Sequence, residues 1–562
     1  MKGKYPLLSF LVPLLVRAVP EVVSFPWPIG YDTVKYYAPV FGASQIYGIA
    51  VGLSFLVGGQ AAFLYILLSF FGALFHIDAF LFLKFFAPVL NGFLGFALFH
   101  FSSSYLGWSD RKSLFCAVLC TSYFVTLRIT WDLLRNTLGL AFMFLAISHT
   151  KNLGEERGSL LFVFFSLLCL FTHELVAVLL FCVLAYLLLL ELLPYLGASY
   201  ALISVKNYLN SKAAFLGSRS GQVDSEDSSS EVRERGKFKT LNCSAGGGAG
   251  AGSGLGAALR PRFLVLYILI LVTVVVVVLH YAGVFQTSFP TEPFLPNMKG
   301  PFVDYISWRF GLYLYPSVDA LRGDIFSLFL VCFAPILPLA VLGYFRNHPL
   351  DILTLILLVG SFMPVVFPHS ALPLWSRWML ILAFPFLIYT CNFLLPDGQD
   401  SLLIGRLKIS RKTRRTVFVV VVPVLVLLSS AYMVLPPERA FPYFSVFSGQ
   451  MYFPSSMQQN TFSLSQSPYV VLACEWLKWN MPPNSCLIVH ESLYGWANLT
   501  LPLRPIYRYS YLDVGLSTAL LKAEWYNSSY VLTLFPYDYL VRSGGFELVF
   551  SVGLIEVFRS VD

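Results

Sequence analysis

The sequence predicts an all-α polytopic membrane bundle of about eleven spans with a small C-terminal extracytoplasmic α/β domain. Three observations predict it. Only 12% of residues are charged and the mean hydropathy is +0.71, whereas a soluble domain carries roughly 25% charged residues. Apolar runs of near-helical span length recur along the chain, and a span needs about 20 such residues to cross hydrocarbon about 30 Å thick. After residue 435 the runs stop and short alternating segments replace them. The net charge of +8 does not call for nucleic acid, because a polytopic chain gathers Lys and Arg in its cytoplasmic loops.

The apolar runs fall at 5–24, 46–75, 79–101, 113–130, 136–149, 159–193, 263–282, 325–345, 352–369, 378–395 and 417–435. The first contains Pro13 and Arg17 and is read as a retained span rather than a cleaved signal peptide. The run at 159–193 is too long for one crossing and carries "FTHEL" at its middle, so it reads as two helices with a turn near His173–Glu174. The run at 46–75 is read as lying along the outer interface, with a pair of short helices as the alternative.

Charge assigns the sides. The segments 110–112, 150–158, 194–262, 345–347 and 405–415 hold about 20 of the 38 Lys and Arg and are expected in the cytoplasm, with the N-terminus. The loops at 25–45, 130–135, 172–174, 283–324 and 368–377 are rich in Pro, Trp and Tyr and are expected outside, with the C-terminus. Domains follow: a membrane domain over 1–435, a connecting segment over 436–465 and the α/β domain over 466–562. Within the first, 217–260 is rich in Ser, Gly and charge and is expected to be a disordered cytoplasmic linker.

In the last domain "SPYVVLACEWLKWN" and "GLSTALLKAEWY" read as helices, and "SCLIVH" and "SSYVLTLF" as strands. "FELVFSVGLIEVFRS" reads as a hairpin turning near Gly553. Asn498 and Asn527 begin N-glycosylation sequons. Cys474 and Cys486 share this domain and are the one pair placed to form a disulfide. The Cys and His spacings predict no structural zinc.

A carboxylate at an apolar boundary is costly unless it is solvated, paired or used. Asp32, in "FPWPIGYDTVKYYAPV", follows the first span at once on a stiff Pro- and Gly-containing loop, with Tyr36 and Tyr37 beside it as candidate substrate contacts. Asp132, in "LRITWDLLRN", is expected at the same outer face, with Arg128 and Arg135 one helical turn away for ordinary pairing. Two acids brought together there suit deprotonation of a hydroxyl or the holding of a divalent cation such as Mg or Mn. A solvated loop acid is the alternative for Asp32. His173 and Glu174 either form a polar turn or join the same cavity. Arg377, between Trp375 and Trp378 and near His369, is either an interfacial anchor or a clamp on a lipid phosphate. The loop at 283–324 adds Glu292, Asp304, Arg309, Asp319 and Arg322, in no diagnostic spacing.

"PIGYDTVKYYAP", "TWDLLRNTLGL" and "WSRWML", with the external domain after the last span, resemble the GT-C superfamily of integral-membrane glycosyltransferases, archaeal members above all. The resemblance covers most of the chain outside 217–260. It implies a GT-C-like fold and transfer of a sugar from a polyprenyl- or dolichyl-phosphate carrier to a glycan, lipid or protein acceptor on the outer side of the cell membrane. It gives Asp32 the part of general base or metal ligand, and Arg377 that of neutralising the departing lipid phosphate. The soluble domain departs from oligosaccharyltransferases, whose WWDYG-type motif has only "LYGWANL" at 493–499 as counterpart. The first loop lacks the adjacent Asp–Glu pair of protein O-mannosyltransferases. Two rival readings are a flippase of lipid-linked saccharides, against which charges within the spans are few, Lys84 being the clearest, and a membrane-anchored surface protein without catalysis.

Overall fold

The computed structural model describes residues 3–57, 61–192, 318–366, 375–396, 403–404, 407–408, 410–440, 453–502, 504–509, 516–523, 526, 528–534, 541 and 545–561. The chain divides into two compact units, 1–183 with 271–562, and 184–270. Only 184–192 of the second unit is described, so the run at 263–282 and the linker at 217–260 lie outside the described residues.

The helices follow the apolar runs closely where those are simple. Helix α1 covers Lys4–Val23. Helix α2 (Ala38–Tyr47) ends as the run at 46–75 begins, and that run, read as interfacial, holds the pair of short helices given as its alternative, α3 (Ala50–Val57) and α4 (Phe63–Leu74). The segment Thr33–Tyr47 and α3 are bent by 120°. Helix α5 covers Ala79–His100. The run at 113–130 is not one rod but α6 (Asp110–Ser122) and α7 (Phe124–Asp132), bent by 63° at Tyr123. Tyr123 takes an extended ψ of 137° there, and its hydroxyl donates to the Cys332 carbonyl at 2.6 Å. Helix α8 is Leu134–His149. The turn expected at His173–Glu174 separates α9 (Glu156–Thr172) from α10 (Glu174–Leu192).

Later helices span Val318–Phe333, Leu337–Leu342, His348–Val366, Trp375–Ile381, Ala383–Leu394 and Arg411–Val434. Among the described residues five helices are long and apolar enough to cross a membrane, or up to seven if each bent pair is one crossing. These helices make the chain a multi-pass membrane protein.

A buried ionic cluster ties α1, α5 and α7 together. Arg17 pairs with Glu21 at 2.8 Å and donates from Nε to the Thr130 carbonyl at 3.1 Å. Lys84 pairs with the same carboxylate at 3.3 Å and donates to Ser24 Oγ at 2.7 Å. Arg17, Glu21 and Lys84 are all buried, so Lys84, which stood out as the clearest span charge, belongs to a compensated set. Removing the one carboxylate leaves two buried cations uncompensated. Glu21→Ala is therefore expected to lose about 3–5 kcal/mol of stability, read as a lowered unfolding midpoint of the purified protein in detergent.

The segment at 453–463 was expected to be irregular, and its polar residues have a structural use. Gln458 donates from Nε2 to the carbonyls of Pro20 at 3.2 Å and Met433 at 2.6 Å, and Asn460 donates to Pro28 at 3.1 Å. Both are buried. The strap is polar because it satisfies backbone carbonyls left open where helices end.

The C-terminal domain follows its pattern closely. Two short strands, β1 (Leu403–Ile404) and β2 (Leu407–Lys408), pair with each other ahead of it. Its own sheet is β3 (Ser485–His490), β4 (Ile506–Tyr509), β5 (Ser528–Leu534), β6 (Phe546–Val552) and β7 (Ile555–Ser560), in the order β4-β3-β5-β7-β6. Strand β3 is parallel to β4 and β5, and β6–β7 is the expected hairpin with Gly553 (φ +58°) in its turn. Along β3, Leu487 and Val489 face the Ser467–Asn480 helix, while Cys486 and Ile488 face the other side with Ala519 of the Leu516–Ala523 helix. Successive strand residues point to opposite faces. The disulfide left open between Cys474 and Cys486 is not formed: they lie in clusters on opposite faces of the sheet, and both are free, buried thiols.

Candidate active site

The loop that carries Asp32 is fixed from three directions. Gly30, at φ +91°, sits so close to α7 that a Cβ there would lie 2.4 Å from the Trp131 carbonyl oxygen and 3.2 Å from the Asp132 Cβ. Only glycine combines that φ with that approach. The Gly30 N–H donates to the Gln459 carbonyl of the strap at 3.0 Å. Trp27 packs on Trp496 of the C-terminal domain with ring centroids 6.4 Å apart. The first loop is thus pressed onto the end of α7, which brings together the two acids singled out in the sequence.

Charges from three helices converge on Asp32. Its carboxyl is pushed up to about 6, by burial first and by the Asp132 charge second, against the opposing pull of Arg377, Arg128 and Arg135. Asp32 itself remains partly exposed. Asp132 is buried and forms an ion pair with Arg128. Arg135, the other expected partner, instead pairs with Glu174 at 3.2 Å, and Glu174 also accepts the Ala61 N–H at 3.1 Å. Glu174 therefore joins α8, α10 and the entry to α4. Arg377, half-buried on the Trp375–Ile381 helix, has no ion-pair partner among the described residues.

The remaining candidates divide. Tyr36 is exposed. Tyr37 is buried, its ring 6.2 Å from that of Tyr65. His173 is buried, and its Nδ1 has no hydrogen-bond partner among the described residues. Asp319 and Arg322 form an exposed pair at 3.4 Å. His369, Glu292, Asp304 and Arg309 lie outside the described residues. Sequence reasoning passed over Lys35, Tyr31 and Glu491, which form one polar cluster beside Asp32. The signal available was the spacing of Tyr31 and Lys35, one helical turn apart in the stretch already singled out.

The arrangement can take a proton and hold an anion. A carboxylate with raised proton affinity is suited to act as a base near neutral pH. An uncommitted guanidinium presents a rigid fork to phosphate oxygens. Among the described residues no group of three or more His, Cys, Asp or Glu could hold a metal ion. Asp32 and Asp132 stand as two carboxylates among three guanidinium groups.

No family model matches the chain, and no curated protein matches it. Among solved structures, the chain is similar to ArnT from Cupriavidus metallidurans bound to undecaprenyl phosphate. The likeness covers 100% of this chain and 99% of that one, at 13% identity and a TM-score of 0.50. The chain thus shares the fold of that structure over its whole length.

Proposed function

We propose that the protein is a membrane glycosyltransferase that moves a sugar from a polyprenyl- or dolichyl-phosphate carrier to an acceptor hydroxyl on the outer face of the membrane. The observation that carries this reading is Asp32, its proton affinity raised by burial and Asp132, under the electrostatic pull of Arg377, which has no ion-pair partner among the described residues. The fold adds support, since its neighbour ArnT was solved with undecaprenyl phosphate bound.

In this reading Asp32 takes the proton of the acceptor hydroxyl as its oxygen bonds to the anomeric carbon of the donor. The bond from that carbon to the lipid phosphate breaks, and its electron pair stays on the phosphate oxygen. Arg377 meets the negative charge that develops there. Arg128 neutralises Asp132, and Arg135 with Glu174 braces the neighbouring helix ends. Asp32 and Asp132 are also the residues that would hold a Mg or Mn ion. Mg usually keeps one or two protein carboxylates together with waters and substrate phosphates, so the pair fits such an ion only once Arg128 releases Asp132.

The test is transfer from labelled polyprenyl-phosphate sugars in membranes containing the protein. Incorporation of label into an acceptor supports the reading. Movement of the intact lipid-linked sugar between leaflets, without transfer, would support a flippase instead.

The raised proton affinity of Asp32 also sets a pH dependence. A base must be ionised to act, so kcat/KM is expected to hold above pH 6 and to fall as pH drops through about 6. An ordinary carboxylate would hold activity to about pH 4. A pH–rate profile of the wild-type protein checks this, and an acid limb near 4 would contradict the assignment.

A further inference from the structure

The short turn Glu491–Leu493, at the carboxyl end of β3, reaches into the membrane domain beside Asp32. Glu491 pairs there with the buried ammonium of Lys35 and accepts a hydrogen bond from the Tyr31 hydroxyl at 3.0 Å. Lys35 Nζ donates to the same hydroxyl at 3.0 Å. Two residues on, the backbone itself makes contact: a Cβ on Gly495 would lie 2.0 Å from the Val34 carbonyl oxygen. Val34 is fully buried within the core of the C-terminal domain, among Val470, Leu487 and Trp496.

Tyr31 and Lys35 are one turn apart, as are Asp32 and Tyr36, and side chains so spaced share a face. Glu491 holds the first face, and the second carries Asp32 and exposed Tyr36. We infer that Glu491 is a positioning residue: through Lys35 and Tyr31 it sets the rotation of the turn that presents Asp32 to the substrate, so that the C-terminal domain governs the catalytic base. This inference rests on the glycosyltransferase reading for its effect on rate, but the clamp itself does not.

Without the Glu491 charge, the Lys35 ammonium is left buried on the segment that carries Asp32, whose charged neighbours are Asp132 and Arg128 of α7, Arg135 of α8 and Arg377. Removing a negative charge from this surrounding lowers the proton affinity of Asp32. The experiment compares purified full-length wild type with Glu491→Gln, with Lys35→Glu and with the charge-exchanged Lys35→Glu/Glu491→Lys protein. Glu491→Gln is expected to lower kcat about tenfold or more, to leave the KM for the lipid donor nearly unchanged and to move the acid limb to lower pH. The exchanged protein is expected to regain activity over both single variants. Glu547→Gln, which breaks the Glu547–Arg559 pair on the outer sheet edge, controls for general damage to the domain.

Amide hydrogen exchange over 27–37 is followed in the same samples and requires no substrate. Faster exchange in Glu491→Gln supports the clamp even if wild type proves to transfer no sugar, a result that would overturn the glycosyltransferase reading alone. Wild-type kcat, acid limb and exchange in Glu491→Gln would overturn the inference.

Discussion

Asp32→Asn is expected to reduce sugar transfer by about 10²–10⁴, the usual contribution of a positioned general base, while the protein still folds and inserts. Both halves follow from one property. In the folded chain burial and Asp132 disfavour the ionised form of Asp32 and lift its proton affinity to about 6. Because the folded value lies above the ordinary one, the ionised carboxylate costs stability at pH 7, and that cost is relieved as pH falls through about 6. Asparagine removes the charge while keeping the shape. It should match wild type in thermal stability, or exceed it, while removing the base. A membrane assay of label transfer, normalised to protein level, reads the first half, and a thermal unfolding scan reads the second. Wild-type transfer by Asp32→Asn would remove the base from the mechanism.

Arg377→Ala is expected to cost about 10²–10³ in kcat, the range seen when one donor facing developing charge is removed. Arg128 and Arg135 are committed to Asp132 and Glu174, and Arg377 alone of the three guanidiniums acting on Asp32 lacks an ion-pair partner among the described residues. Neither neighbour can turn to the phosphate without leaving its own carboxylate. Arg377→Lys should recover only part of the loss, since an ammonium keeps the charge but not the planar fork. The measurement is kcat and donor KM for the three proteins. An unchanged kcat in Arg377→Ala would return Arg377 to the part of an interfacial anchor.

Much of this was legible in the sequence because it follows from local pattern. The Ser467–Asn480 helix and strand β3 have the bounds their periodicity indicated, and the His173–Glu174 turn splits its apolar run where two polar residues interrupt it. Asp32 stood out because charge is rare beside a span. Strand β4 was missed, since "IYRY" is too short to show a period. The break at Tyr123 was missed because its anchor, the Cys332 carbonyl, lies over 200 residues away in sequence. For the same reason the pairing of Lys84 with Glu21, and the grip of Glu491 on Lys35, were hidden: sequence shows each charge but not the element that brings its partner. The choice of Glu174 rather than Asp132 by Arg135 is likewise set by helix packing.

Parallel measurement of lipid-donor binding and sugar transfer, on wild type and Asp32→Asn in the same detergent, tests the central claim most directly. The account predicts that both proteins bind a polyprenyl-phosphate sugar with similar affinity and that only wild type passes the sugar on. Equal transfer by the two proteins, or loss of donor binding together with transfer in Asp32→Asn, would contradict it.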